Sequence, residues 1–266
     1  MPRDQLRAVA EDYDRRSDRW ERVYSGGSLH DSVIQQRLQA ALAALSEQAG
    51  GAVLDVGCGA GQLVSAVAGR GRPGWGCDIS HRQLQLASRR LSFAVTPNGA
   101  APAALCRADA AALPFVSQRF AGVTALGCIQ YLTDPTAGVA EMARVARPGG
   151  TVVATAPNLL RLSILLDPLG ALRQRLHPQH SGYRRRLFTR RGFRRLLERS
   201  GLRVVRIDGV GFGPLSVLGW PLMTERAAVR LDAALRRSLP VFLASALGSE
   251  LVAVATPRDP PGADGK

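Results

Sequence analysis

The stretch Val53-Leu54-Asp55-Val56-Gly57-Cys58-Gly59-Ala60-Gly61-Gln62-Leu63 constrains the fold more than any other part of this 266-residue chain. Val53, Leu54 and Val56 form a short apolar run suited to a strand covered on both faces, as in parallel sheets. Glycines at 57, 59 and 61 follow, where the absence of Cβ atoms lets the backbone turn sharply and bring its N–H groups against a ligand. A dinucleotide fingerprint would place its third glycine five positions after the first. That position is Gln62, and the last glycine comes one residue early. Asp55 also sets a carboxylate at the base of the loop, where it opposes a phosphate and suits a cationic ligand. Strand, glycine loop and helix therefore point away from NAD and towards a ligand carrying an ammonium and a sulfonium.

The periodicity beyond the loop alternates in kind. Strands are predicted over 52–57, 73–78, 103–107, 120–127 and 150–156, and helices over 60–69, 80–92 and 135–146. Such alternation implies right-handed crossovers and a mostly parallel sheet with its ligand at the carboxyl edge. Gly57, Asp78, Asp109 and Cys128 all fall at those edges.

These residues resemble the class I S-adenosylmethionine-dependent methyltransferases, whose first motif is an acidic residue followed by Gly-x-Gly-x-Gly. Order and spacing strengthen the resemblance. Trp75-Gly76-Cys77-Asp78-Ile79-Ser80 is similar to the second strand ending in the acid that holds the ribose hydroxyls. Cys106 to Phe115 resembles the segment whose aspartate, here Asp109, lies beside the adenine amino group. Phe120 to Leu132 looks like strand four with its following loop, and Arg147-Pro148-Gly149-Gly150-Thr151 like the turn into strand five. The resemblance implies an α/β, Rossmann-like doubly wound sheet of seven strands, mostly parallel with the last antiparallel. Strand six is then placed at 201–209 and the closing strand at 250–256. The implied cofactor is S-adenosylmethionine, held by Asp55, Gly57, Cys58, Gly59, Gly61, Asp78, Ile79, Asp109, Ala110 and Cys128. Asp78 has a second reading as a cap of the helix that follows, although Ser80 is the better-placed cap. His81, in the first turn of that helix, is expected to be exposed.

The domain reading is an N-terminal helical segment at 1–49, a methyltransferase domain at 50–257 and a disordered tail at 258–266. Leu6, Val9, Tyr13, Trp20 and Tyr24 predict a first helix stapled by its aromatics; Tyr13 and Trp20 lining the site is the alternative. Two insertions, near 158–200 and 210–247, interrupt the domain. The first carries a leucine-rich amphipathic stretch at 158–180, of the kind that caps the acceptor pocket in the resembled family. It ends in Tyr183–Ser200, where eight arginines alternate with Leu187, Phe188, Phe193, Leu196 and Leu197 behind a Thr189 N-cap. This reads as a helix buried by its Phe and Leu stripe with a solvated basic face. The second insertion contains Trp220, Met223 and a helix over 225–239, expected to shape the pocket or a dimer face.

An apolar fraction of 46% is ordinary for a globular chain, and the formal net charge of +14 comes almost entirely from arginine. A charged N-terminus without an apolar core gives no secretory signal, and the weakly polar 209–223 stretch is too short and too broken to span a bilayer. A cytoplasmic protein is expected, or one lying peripherally on an anionic membrane through Arg184–Arg199 and the 209–223 segment. The four cysteines, Cys58, Cys77, Cys106 and Cys128, lack Cys-x-x-Cys spacing and are read as free thiols.

A sulfonium methyl is already electrophilic, so alignment and water exclusion are the chief tasks, and acid–base groups are secondary. The candidate catalytic residues are Gln130, Tyr131, Tyr183 and His180, with His30 and His177 beside them. Glu141-Met142-Ala143-Arg144-Val145 does not supply the metal cluster of some quinone-precursor methyltransferases, so the reaction is expected to be metal-independent. The Asn-Pro-Pro-Tyr motif of nucleic-acid amino-methyltransferases is also absent after strand four. A small-molecule acceptor, methylated on a hydroxyl, carbon or amine, is the leading expectation. An RNA methyltransferase using the arginine face, or a non-catalytic S-adenosylmethionine-binding interaction protein, are the rivals.

Overall fold

The computed structural model describes residues 2–15, 27–47, 50–93, 101–169, 185–213, 216–217 and 220–258. Trp20, Tyr24, His177, His180, Tyr183, Arg184 and the 259–266 tail lie outside the described residues.

The predicted alternation becomes β1 (Val53–Val56), α3 (Gln62–Ala68), β2 (Gly74–Asp78), α4 (His81–Phe93), β3 (Ala103–Arg107), β4 (Phe120–Ala125), α5 (Pro135–Val145) and β5 (Ala146–Pro157). Before it come α1 (Pro2–Arg15) and α2 (Leu29–Ser46). After it come α6 (Leu162–Leu166), α7 (Arg190–Arg199), β6 (Leu202–Val210), the short pair β7 (Ser216–Val217) and β8 (Trp220–Pro221), α8 (Glu225–Ser238), α9 (Val241–Leu247) and β9 (Glu250–Pro257). The seven-stranded sheet runs β3-β2-β1-β4-β5-β9-β6. β1 pairs in parallel with β2 and β4, while β9 lies between β5 and β6 and is antiparallel to both. Strand order reverses between β1 and β4, which opens a crevice at their carboxyl ends.

Both faces of the sheet are covered, as the apolar run of β1 requires. Leu54 and Val56 join one cluster with Met142 of α5 and Phe193 and Leu197 of α7. Val53 joins the other with Leu42 and Leu45 of α2 and Leu63 and Val67 of α3. Period-two alternation along one strand thus feeds two cores. The arginine-rich segment folds as expected: Thr189 accepts from the Gly192 N–H at 3.0 Å, Phe193 and Leu197 are fully buried, and Arg190, Arg191, Arg195 and Arg199 are exposed.

Two boundaries and the first insertion depart from the sequence reading. β4 stops at Ala125, because Gly127 turns the chain at φ +76° and donates its N–H to Thr155 Oγ1 at 2.8 Å. β5 begins at Ala146, ahead of the Pro-Gly-Gly turn, and absorbs that turn as an irregularity in its pairing with β4. The leucine-rich insertion does not bury its stripe in the part described. α6 has five residues and buries none of them, and Leu160, Leu165, Leu166 and Leu169 are exposed. A helix this short cannot present a continuous apolar face.

Candidate functional site

Each of the four strands β1 to β4 carries, or leads directly into, a residue able to do chemistry near its carboxyl end. Asp55 is inside β1, Asp78 closes β2, Asp109 follows β3, and Cys128 follows β4 at the start of a 3₁₀ turn, Ile129–Tyr131. They border one cavity of about 480 Å³, within the usual range for a ligand pocket. α1 contributes Leu6, Val9 and Tyr13, and α2 contributes His30, Val33, Ile34 and Arg37.

The glycines of the loop do different work. A Cβ on Gly57 would stand 2.8 Å from Cys128 Cβ, and one on Gly61 2.9 Å from Ala87 Cβ of α4, so these two let neighbouring chain pack closely. A Cβ on Gly59 would meet nothing nearer than Gln83 Oε1 at 3.7 Å, although its φ of +51° is left-handed. Gly59 leaves room for a ligand. Gly57, Cys58, Gly59, Asp78, Ile79, Asp109, Ala110, Cys128 and Asp55 all line the cavity. Gly61 does not line it, because it faces α4.

Asp78 is held rather than free. Its Oδ2 accepts from the Gly59 N–H and its Oδ1 from the Ser80 N–H, both at 2.9 Å, which ties β2 to the glycine loop, and the carboxylate borders the cavity. Burial raises its pKa, with the backbone hydrogen bonds opposing. Capping of α4 falls to Ser80, whose hydroxyl accepts from the Gln83 N–H at 3.1 Å, and His81 is exposed as expected. Asp109 Oδ1 accepts from the Ala111 N–H at 2.9 Å and fixes the turn after β3. Asp55 is buried and accepts from the Thr124 hydroxyl at 2.6 Å. Its pKa is pushed up to about 7, first by burial and then, against the Thr124 hydrogen bond, by the nearby Asp78 charge.

α1 both staples and lines. Asp14 accepts from the Ser80 hydroxyl and from the Arg82 N–H, which binds α1 to the N-terminus of α4. Tyr13 meets Tyr131 edge to face with ring centroids 5.7 Å apart, and both border the cavity. The sequence reading set these roles against each other; the helix is short enough that one end does both.

Of the candidate catalytic residues, Gln130, Tyr131 and His30 line the cavity; Tyr183, His180 and His177 lie outside the described residues. Three glutamines reach the cavity with buried atoms that have no hydrogen-bond partner among the described residues: Gln62 Nε2, Gln83 Oε1 and Gln130 Oε1. Orphaned buried polar atoms around one cavity fit a polar occupant. Sequence reasoning passed over Gln62 and Gln83 as site residues, although Gln62 directly follows the last glycine of the loop and Gln83 lies three residues beyond Ser80. It also missed Arg37, Arg161 and Glu250, which line the far end together with Arg185 of the basic stretch. Among the described residues, no group of three or more His, Cys, Asp or Glu is arranged to hold a metal ion. All four cysteines are free thiols, as expected.

Comparison with known proteins gives concordant results. A family profile described as a methyltransferase domain matches residues 54–154. The ubiquinone biosynthesis O-methyltransferase of Thiobacillus denitrificans is 32% identical over 170 residues, 63% of this chain and 71% of that protein. A ubiquinone/menaquinone biosynthesis C-methyltransferase of Burkholderia mallei is 35% identical over 123 residues, so the match spans about half of it, 46%, and 45% of this chain. Among solved structures, the magnesium protoporphyrin IX methyltransferase of Synechocystis, with bound S-adenosylhomocysteine, superposes with a TM-score of 0.64 at 17% identity, covering 94% of this chain and 98% of that one.

Proposed function

The chain belongs to the class I S-adenosylmethionine-dependent methyltransferases, and from that premise we propose that it methylates an oxygen of a small-molecule acceptor held in the far half of the cavity. The observation that carries this reading is one continuous cavity with two unlike halves. Its strand-edge half offers the acids and glycines described above, and its other half is roofed by Leu6, Val9, Val33 and Ile34 of α1 and α2 beside the loop after β4. The names of the O- and C-methyltransferase relatives agree with a small acceptor.

Bound there, S-adenosylmethionine supplies a methyl group on a sulfonium, an electrophile that needs only an aligned nucleophile. The residues present fit it. Asp78 would offer two carboxylate oxygens to the ribose hydroxyls, Asp109 and Ala110 would hold the adenine, and Gln62 would donate to the carboxylate of the methionine part. Asp55, at the base of the loop, would hold the ammonium. The apolar lining would keep water from the nucleophile, Gln130 and Tyr131 would orient an acceptor hydroxyl, and His30 would take its proton.

Asp55 makes the cofactor assignment testable by pH. Its pKa near 7 lies above the ordinary 3.8, so in the ligand-free protein it favours the folded state most below pH 4 and loses that contribution as pH rises through 7. A ligand ammonium favours the ionised carboxylate and so expels the proton. Affinity for S-adenosylmethionine is therefore expected to rise with pH between about 5 and 7 and then level off, with proton release visible in calorimetry as a dependence on buffer ionisation enthalpy. Asp55→Asn should flatten the profile. An unchanged slope in that variant would remove Asp55 from the site.

The acceptor reading is tested by incubating the protein with methyl-labelled S-adenosylmethionine and, separately, low-molecular-weight metabolites, RNA, and neutral or anionic vesicles. Label is expected in an alkali-stable methyl ether of a small compound. Label in RNA, with binding that weakens steeply with salt, would favour the RNA rival. The exposed arginines of α7 do not line the cavity, which supports the small molecule. Trp220, Leu222 and Phe242 are 74%, 56% and 68% exposed and favour a contact with anionic lipid for which the vesicle arm is the measure.

A further inference from the structure

The cavity is polarised along the sheet. Asp55, Asp78 and Asp109 stand on the β3-β2-β1 side, and Arg37, Arg161 and Arg185 stand towards β5 and β9. The loop after β4 lies between the poles. A Cβ on Gly57 would touch Cys128, and one on Gly127 would stand 2.8 Å from Arg37 Nη1, so the cationic pole adjoins the point where cofactor and acceptor halves meet.

Glu250, at the start of β9, is the counter-ion. Arg185 Nη2 lies 3.0 Å from its Oε1 and Arg37 Nη1 3.7 Å from its Oε2. Arg161 is fixed nearby: Nε donates to Ser163 Oγ at 3.1 Å, and the adjoining turn is latched by buried Asn158, which donates to the Ala246 and Gly248 carbonyls at 2.8 and 2.9 Å. The cluster is not closed upon itself. Among the described residues three guanidinium groups border the cavity around one carboxylate, the 3.7 Å separation of Arg37 from Glu250 is too long for a hydrogen bond, and Arg37 Nε has no hydrogen-bond partner although Arg37 is only 9% exposed. Burial and the Arg185 charge hold the Arg161 guanidinium below its ordinary pKa, consistent with excess positive charge. Buried charges left short of partners are costly, which a structural ion pair would avoid. Arg37 is also held in place, since neighbouring Gln36 donates to Asp232 at 2.8 Å and accepts from the Gly211 N–H at 3.1 Å.

We propose that Arg37, Arg161 and Arg185, set around Glu250, form a seat for a carboxylate carried by the methyl acceptor. This deepens the small-molecule reading above and rests on it. The planar fork of a guanidinium matches a carboxylate in two parallel hydrogen bonds, and a second anion would give Arg37 the hydrogen-bonded acceptor that Glu250, 3.7 Å away, does not. Acidic and basic poles then separate the two ligands: the cationic cofactor goes to the acids and the anionic acceptor to the arginines, with opposite placement disfavoured by charge.

The test is calorimetric titration of the full chain, saturated with S-adenosylhomocysteine, using 3,4-dihydroxybenzoate, 3,4-dihydroxybenzamide and catechol as probes. The acid is expected to bind at least about tenfold more tightly than the amide or catechol. Arg161→Gln and Arg185→Gln should each erase most of that preference. Arg37→Gln leaves Glu250 held by Arg185 at 3.0 Å, and it should also lose the preference while still unfolding cooperatively. Equal binding of acid and amide, no binding of the acid at millimolar concentration, or a preference untouched in all three variants overturns the seat. Failure of the parent protein to bind S-adenosylhomocysteine is a separate outcome that overturns the cofactor reading, and this inference with it.

Discussion

Gly59→Val is expected to give a folded protein whose affinity for S-adenosylmethionine falls by more than about 100-fold, roughly 2.7 kcal/mol or more. Two causes act together. Gly59 holds φ at +51°, and a β-branched residue in this left-handed region costs on the order of 1–3 kcal/mol. The new side chain would also point across the cavity towards Gln83 Oε1, since a Cβ there meets no packed neighbour. The steric load falls on the ligand rather than on the core. Gly61→Val is the informative contrast: its Cβ would press on the Cβ and Cα of Ala87 at 2.9 and 3.2 Å, and loss of cooperative unfolding is expected there. Calorimetry with thermal unfolding separates these outcomes. Normal cofactor binding by Gly59→Val would show that the loop does not approach the ligand.

Asp78→Ala is expected to weaken S-adenosylmethionine by about 100-fold. A hydrogen bond to a charged acceptor contributes roughly 1.5–3 kcal/mol, and two ribose hydroxyls would lose such a partner, with water recovering part of the difference. The same change frees the Gly59 and Ser80 N–H groups that the carboxylate now holds, so the glycine loop loses a tie to β2 as well. Asp78→Asn keeps the volume and one acceptor oxygen, and an intermediate loss is expected. NAD in excess should not displace the cofactor from the parent protein. If Asp78→Ala binds as well as the parent with its fold intact, the ribose contact belongs to another residue.

Both variants were readable from the chain, because local chemistry specified them. Val53, Leu54 and Val56 could be stable only as a strand covered on two faces, and the spacing of Gly57, Gly59 and Gly61 fixed where the backbone must turn. Asp78 and Asp109 were legible because a strand end at the carboxyl edge of a parallel sheet is where a ligand sits. The Phe193 and Leu197 stripe and the Thr189 cap likewise announced α7, since helix period and cap are both properties of neighbouring residues.

The reasons why Gly61 faces α4 instead of the ligand, and why Tyr13 both lines and staples, lie in contacts between elements far apart in the chain. Gly61 meets Ala87, and Tyr13 meets Tyr131. The arginine seat shows this most plainly. Arg37 looked like one charge on an amphipathic helix, Arg161 and Arg185 like two among many, and Glu250 like the first residue of a strand. Nothing in their spacing joins positions 37, 161, 185 and 250. The insertion of β9 between β5 and β6 brings Glu250 to the carboxyl edge of β5, and the Asp232 hydrogen bonds to Gln36 and the Phe212 N–H hold α2 over it. The chain's own sequence determined the sheet, the glycine loop and the acids of the cofactor half, because strand pattern, turn geometry and helix capping act over a few residues. The pole opposite them was decided by tertiary structure alone, because burying several charges around one cavity is a property of packed elements and of no segment by itself.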